Sequence, residues 1–132
     1  MTTRIIRWSL VCVVLLAGAA DASAQTARTR RVMQDKLAHA QRVLAALTTS
    51  DSALLQRETQ ALQRVVESQA WKEMMTAELR PYTGPFVKSL GELAAAAERR
   101  DYEAAGASYG ALTAACIGCH KHVMSSRIAR AP

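Results

Sequence analysis

Cys116, Cys119 and His120 are the residues of this chain best suited to chemistry, and they stand together as Cys116-Ile117-Gly118-Cys119-His120. Two thiols three positions apart on a helix share one face, so both can form thioethers to the two vinyl groups at one edge of a porphyrin. His120, one step along, is then held under the iron as an axial ligand, the role of a proximal histidine. The pattern is the attachment signature of a c-type haem. It predicts one covalently tethered haem c per chain.

Other chemistries fit the same residues poorly. A redox-active Cys-x-x-Cys normally opens a helix that follows a strand, whereas this pair lies deep in the last helix of a chain without strand-like alternation. Cys116, Cys119, His120 and His122 cannot converge tetrahedrally on one zinc ion from adjacent and next-but-one positions of a single helix. A disulfide across two intervening residues closes almost no loop and stabilises little.

The compartment supports the haem reading. Met1 to Ala24 has a basic start (Arg4, Arg7), an apolar run from Trp8 to Ala20 and the small-residue triplet Ala22-Ser23-Ala24 before Gln25, the three-part layout of a secretory signal peptide. The apolar run falls well short of the roughly 20 residues that span a bilayer, so no stable membrane anchor remains after cleavage. Cys12 lies in this run, after Val11 rather than a small residue, and leaves with the signal. The reading is therefore residues 1–24 as signal peptide and 25–132 as one mature domain, the most such a length supports. Removing Arg4, Arg7 and Asp21 lowers the net charge from +6 to about +5. Cys116 and Cys119 are then the remaining cysteines, in a compartment where an unassigned pair would otherwise form a disulfide.

The elements that must position the motif read as helices. From Gln25 onward the chain is rich in Ala, Leu, Gln, Glu and Arg, with prolines only at 81, 85 and 132. A first helix carries Met33, Leu37, Ala40, Leu44 and Leu47 as its buried stripe, and the break at Thr48-Thr49-Ser50-Asp51 ends it and caps the next. A second helix carries Leu55, Leu62 and Val66, and either ends near Gln69 or continues through Trp71, Met75 and Leu79 until Pro81 stops it. Tyr82-Thr83-Gly84-Pro85 reads as a turn, with Pro85 opening a third helix marked by Phe86, Leu90, Leu93 and Ala97. The last helix, capped by Asp101, runs through Tyr102, Ala105, Tyr109, Leu112, Cys116, Cys119 and Val123, so both cysteines fall on its buried stripe. Four amphipathic helices with short connections predict an all-α, up-down-up-down four-helix bundle. Gly106, Gly110 and Gly118, with Ala107, Ala111, Ala114 and Ala115, predict close approach of the haem or a neighbouring helix, since each glycine costs about 1 kcal/mol in a helix interior.

On these residues the chain resembles the cytochrome c′ family of four-helix-bundle haem proteins: an exported helical domain with Cys-x-x-Cys-His on its last helix, the likeness running roughly from Arg31 to Arg127. In such a bundle the start of the first helix and the end of the last share one end of the molecule. Met33 then stands at the height of His120, on the opposite side of the haem. The resemblance implies two outcomes. Low-spin relatives use a methionine at this point as sixth iron ligand and act as electron carriers, which makes Met33 the leading candidate here. Five-coordinate members keep a vacant site that binds nitric oxide or carbon monoxide, and Met33 then serves as an apolar cover. The resemblance also allows a homodimer packed through the first two helices.

Other distal candidates are weaker. Met74, Met75 and Met124 read as fillers. His39 reads as exposed on a different face of the first helix, and Lys36, beside the stripe, ligates only after losing its proton.

The topology gathers Arg28, Arg30, Arg31, Lys72, Arg80, Lys88, Lys121, Arg127 and Arg130 at the haem end, against Asp35, Glu73 and Glu78. Arg30 or Arg31 is placed to offset the haem propionates, and the remaining charge to steer an acidic redox partner. Nucleic acid is a poor fit, because an exported chain without aromatic-basic interleaving lacks its usual footprint. The expected function is one-electron transfer in the periplasm, with no substrate chemistry and no enzymatic turnover implied.

Overall fold

Helix-forming composition, with two of the three prolines in one stretch and the third at the last residue, produces a chain that is helical almost throughout. The computed structural model describes the backbone of residues 2–129 and the side chains of residues 24–126. Five helices follow in order: α1 (Thr2–Thr49), α2 (Ser52–Glu67), α3 (Gln69–Met74), α4 (Arg80–Glu98) and α5 (Tyr102–Ala129), with no strand among the described residues. The side chains of the proposed signal segment up to Ser23, Cys12 among them, lie outside the described residues, as do those of Arg127 and Arg130.

α1, α2, α4 and α5 form the up-down-up-down four-helix bundle, with α3 a short crossing piece at one end. α1 packs chiefly on α2 and α4 chiefly on α5, α2 joins the two pairs, and α1 meets α5 only over a small area. The loose α1–α5 seam is where a cleft can open.

Both antiparallel pairs turn by the same device. Ser50 (φ 56°) and Arg100 (φ 57°) adopt the left-handed conformation, and the following amides of Asp51 and Asp101 donate to Ala46 and Ala96 carbonyls at 3.0 Å each. This closes the helix end as a Schellman turn. The same two aspartates then cap the next helices, accepting from Leu54 N at 2.9 Å and Ala104 N at 3.0 Å. The Tyr102 hydroxyl donates to the Ser50 carbonyl at 2.7 Å, tying the two turns together at the end remote from α3.

The core holds Val43, Leu55, Leu62, Leu90, Leu93 and Leu112, all at most 2% exposed. The predicted stripes hold for α2, α4 and α5, but α1 is rotated. Val32, Val43 and Ala46 are its buried residues, while Leu37 and Leu44, expected inside, are 59% and 48% exposed. Both phases have helical spacing, and packing on α2 selects the one that buries Val43 and Ala46.

Of the two ends read for the second helix the one near Gln69 is found, whereas the turn read at Tyr82-Thr83-Gly84-Pro85 is helical instead. Ser68 ends α2 and starts α3, its hydroxyl accepting from Trp71 N at 3.2 Å and donating to the Val65 carbonyl at 2.6 Å. Pro81 opens α4 rather than stopping a helix, because a first-turn position lacks an intrahelical amide bond anyway. α4 therefore begins at Arg80 and contains Pro85.

Candidate haem-binding site

A cavity of about 380 Å³ opens at the α3 end of the bundle, within the size range of small-molecule sites. α1 supplies Met33 and Lys36, α3 supplies Trp71 and Met74, α4 supplies Tyr82 and Phe86, and α5 supplies Cys116, Cys119 and His120. Residues far apart in sequence meet here because the two tight turns at the other end bring the start of the described part of α1 and the end of α5 to one height.

The α5 contribution follows from helical spacing. Cys116 and Cys119 are half-buried on one face, and His120 is exposed at the cavity edge. Burial pushes the Cys116 thiol up from its ordinary range, an effect partly countered by the Lys36 ammonium. Met33 is half-buried on α1 and lines the same cavity across the α1–α5 seam. Met74, Met75 and Met124 line it too, and Met33 is the one of these thioethers that α1 supplies.

The floor is aromatic. Trp71 and Phe86 are 6% and 3% exposed, with ring centroids 5.9 Å apart. The Lys36 ammonium sits over both rings, 3.9 Å from the Phe86 centroid and 4.4 Å from that of Trp71. Burial holds its pKa below the ordinary lysine value, opposed by the nearby Cys116 and Cys119. At the rim Tyr82 stacks on His122, with centroids 4.2 Å apart and planes inclined by 17°.

The other predicted residues lie elsewhere. Arg30 is exposed and Arg31 faces a separate groove between α1 and α2, with Val32, Asp35 and Arg64. Arg28 is paired with Glu73 at 2.7 Å. His39, read as exposed, is largely covered, its Nδ1 2.8 Å from the buried Glu58 carboxylate. Gly106, Gly110 and Gly118 face open space, and a Cβ on any of them would meet nothing within 4 Å. No tight packing between protein elements therefore accounts for these three.

The site suits a haem. Its lining is mainly apolar and aromatic, two thiols share one helical face, and the His120 imidazole and several methionine thioethers, Met33 of α1 among them, line it. Among the described residues no group of three or more His, Cys, Asp and Glu side chains is placed to hold a bare metal ion. Sequence reading missed the Lys36-Trp71-Phe86 arrangement. Its one available signal was Lys36 standing one helical turn beyond Met33.

A family model described as Cytochrome C' matches residues 14–122. Comparison with curated proteins and with solved structures gives no match.

Proposed function

The chain belongs to the cytochrome c′ family and has haem c, one per chain and covalently bound, as its cofactor; on that premise we propose that it is a periplasmic one-electron carrier. The observation that carries this reading is the cavity shared by Cys116, Cys119 and His120 of α5 and Met33 of α1. Cys116 and Cys119 would hold the cofactor as thioethers, and His120 from α5 and Met33 from α1 would ligate its iron. Bound there, the haem would supply an iron centre for one-electron chemistry. Trp71 and Phe86 keep water from the inner wall, and the exposed His120 edge leaves a short path for an electron.

Export is supported by the layout of Arg4, Arg7, the Trp8–Ala20 run and Ala22-Ser23-Ala24. Among the described residues no helix is long and apolar enough to cross a membrane. An acidic redox partner is supported by the exposed Arg30, Lys72, Arg80 and Lys121. The exposed Leu37 and Leu44 support a homodimer packed through α1, since large apolar side chains on one helix face mark an interaction surface.

Absorption spectra of the ferrous and ferric protein, with and without carbon monoxide, test the carrier reading. The account expects a low-spin spectrum indifferent to the gas, and Met33→Ala converting it to a gas-responsive one. A wild-type high-spin spectrum that responds to carbon monoxide establishes a vacant distal site instead.

A further inference from the structure

Among the described residues, Lys36 is the one lysine or arginine that lines the cavity. A lysine there is costly, because removing its ammonium from water is unfavourable unless something replaces the lost solvation. The replacement is visible. Trp71 and Phe86 present their ring faces to Nζ at 4.4 and 3.9 Å, and such faces attract a cation through their quadrupole. Both rings are themselves buried and cannot easily turn away.

No carboxylate among the described residues forms an ion pair with Lys36. The opposing charges it senses are the thiolate forms of Cys116 and Cys119. Once those sulfurs are thioethers they carry no charge, and among the described residues no anionic side chain is then paired with the ammonium. Its field falls on whatever occupies the space between α1 and α5.

We propose that Lys36, held over Trp71 and Phe86 and paired with no described carboxylate side chain, is a redox-tuning residue whose positive charge favours the ferrous over the ferric haem. The inference rests on the haem reading given above. Its sign follows from charge alone: the oxidised centre carries one more positive charge than the reduced one, so a neighbouring cation destabilises it more. Low local polarity strengthens the effect. It holds whether or not Met33 ligates, because it concerns the iron's charge and not its coordination.

The test compares the reduction potential of the haem-loaded wild type with that of Lys36→Leu, which keeps apolar contact, removes charge and adds no iron ligand, and of Lys36→Arg, which keeps charge. At a fixed ambient potential the ferrous-to-ferric ratio of Lys36→Leu is expected to fall several-fold, a tenfold fall being a drop of 59 mV for a one-electron couple. Lys36→Arg is expected to stay close to wild type. The absorption spectrum, recorded alongside, should be the same in all three, since no ligand is removed or added. Equal or higher potential in Lys36→Leu overturns the inference while leaving the haem reading intact. A wild-type chain that carries no haem overturns that reading and this inference with it.

Discussion

Tyr82 in the first turns of α4 and His122 near the end of α5 stack ring on ring, 4.2 Å between centroids. The contact pins α5 two residues beyond His120, and the His122 Nε2 also lies 3.2 Å from Glu78. It thereby fixes the azimuth at which α5 presents its Cys-x-x-Cys-His turn to the cavity. Stacked aromatic pairs contribute about 0.5–1.5 kcal/mol beyond the area they bury. A double-mutant cycle of Tyr82→Ala and His122→Ala, read by urea unfolding, should return a coupling of about that size. Strictly additive losses would mean that the rings do not act together.

Glu58 is the buried charge of the α1–α2 interface, 5% exposed. Its carboxylate accepts from His39 Nδ1 at 2.8 Å and Arg57 Nε at 3.1 Å, with the Arg42 guanidinium 3.5 Å away. The hydrogen bond from His39 foremost, then those two arginines, holds its pKa below the usual carboxylate value, against the opposing effect of burial. A carboxyl whose pKa is depressed on folding adds stability above its unfolded pKa and loses it as pH falls through the folded one. Wild type should therefore lose stability on acidification below about pH 4.5 more steeply than Glu58→Gln. At neutral pH that variant should be weaker by about 1.5–3 kcal/mol, the range for hydrogen bonds to charged groups. Parallel stability curves for the two proteins would remove the role given to Glu58.

Leu37 and Leu44 stand two helical turns apart on the exposed face of α1. If that face packs against a second copy, a charge placed at its centre faces its own symmetry mate and must be desolvated. Leu37→Glu combined with Leu44→Glu should shift a wild-type dimer to monomer in sedimentation equilibrium, leaving the helical content unchanged. A monomeric wild type, or a variant that stays dimeric, rules out this face.

Much of the architecture is legible in the sequence because it depends on local signals. Asp51 and Asp101 are visible as caps from residue type and position, and the Leu90-Leu93-Ala97 stripe from its spacing. Cys116, Cys119 and His120 are visible as a motif, and Met33 joins them once an up-down-up-down order is assumed. The phase of α1 is not legible in the same way. Leu37 and Leu44, seven apart, fit a helical repeat as well as Val43 and Ala46, three apart, so two adjacent faces of one helix look equally apolar until α2 chooses between them. Pro81 and Ser68 carry two meanings each, and only tertiary placement shows that one begins α4 and the other both ends α2 and starts α3. The aromatic floor under Lys36 is hidden for a further reason. Trp71 and Phe86 come from different helices, and their meeting depends on α3 crossing the bundle end, which no periodicity encodes.

The most direct test of the central claim is covalent attachment itself. The full-length chain, produced in a bacterial periplasm with a c-type haem attachment apparatus, is denatured, separated by electrophoresis and stained for haem. Wild type should retain the stain on its own band, and the Cys116→Ser, Cys119→Ser double variant should lose it while the protein band remains. A wild-type band without haem, or a double variant stained as strongly as wild type, would contradict the account.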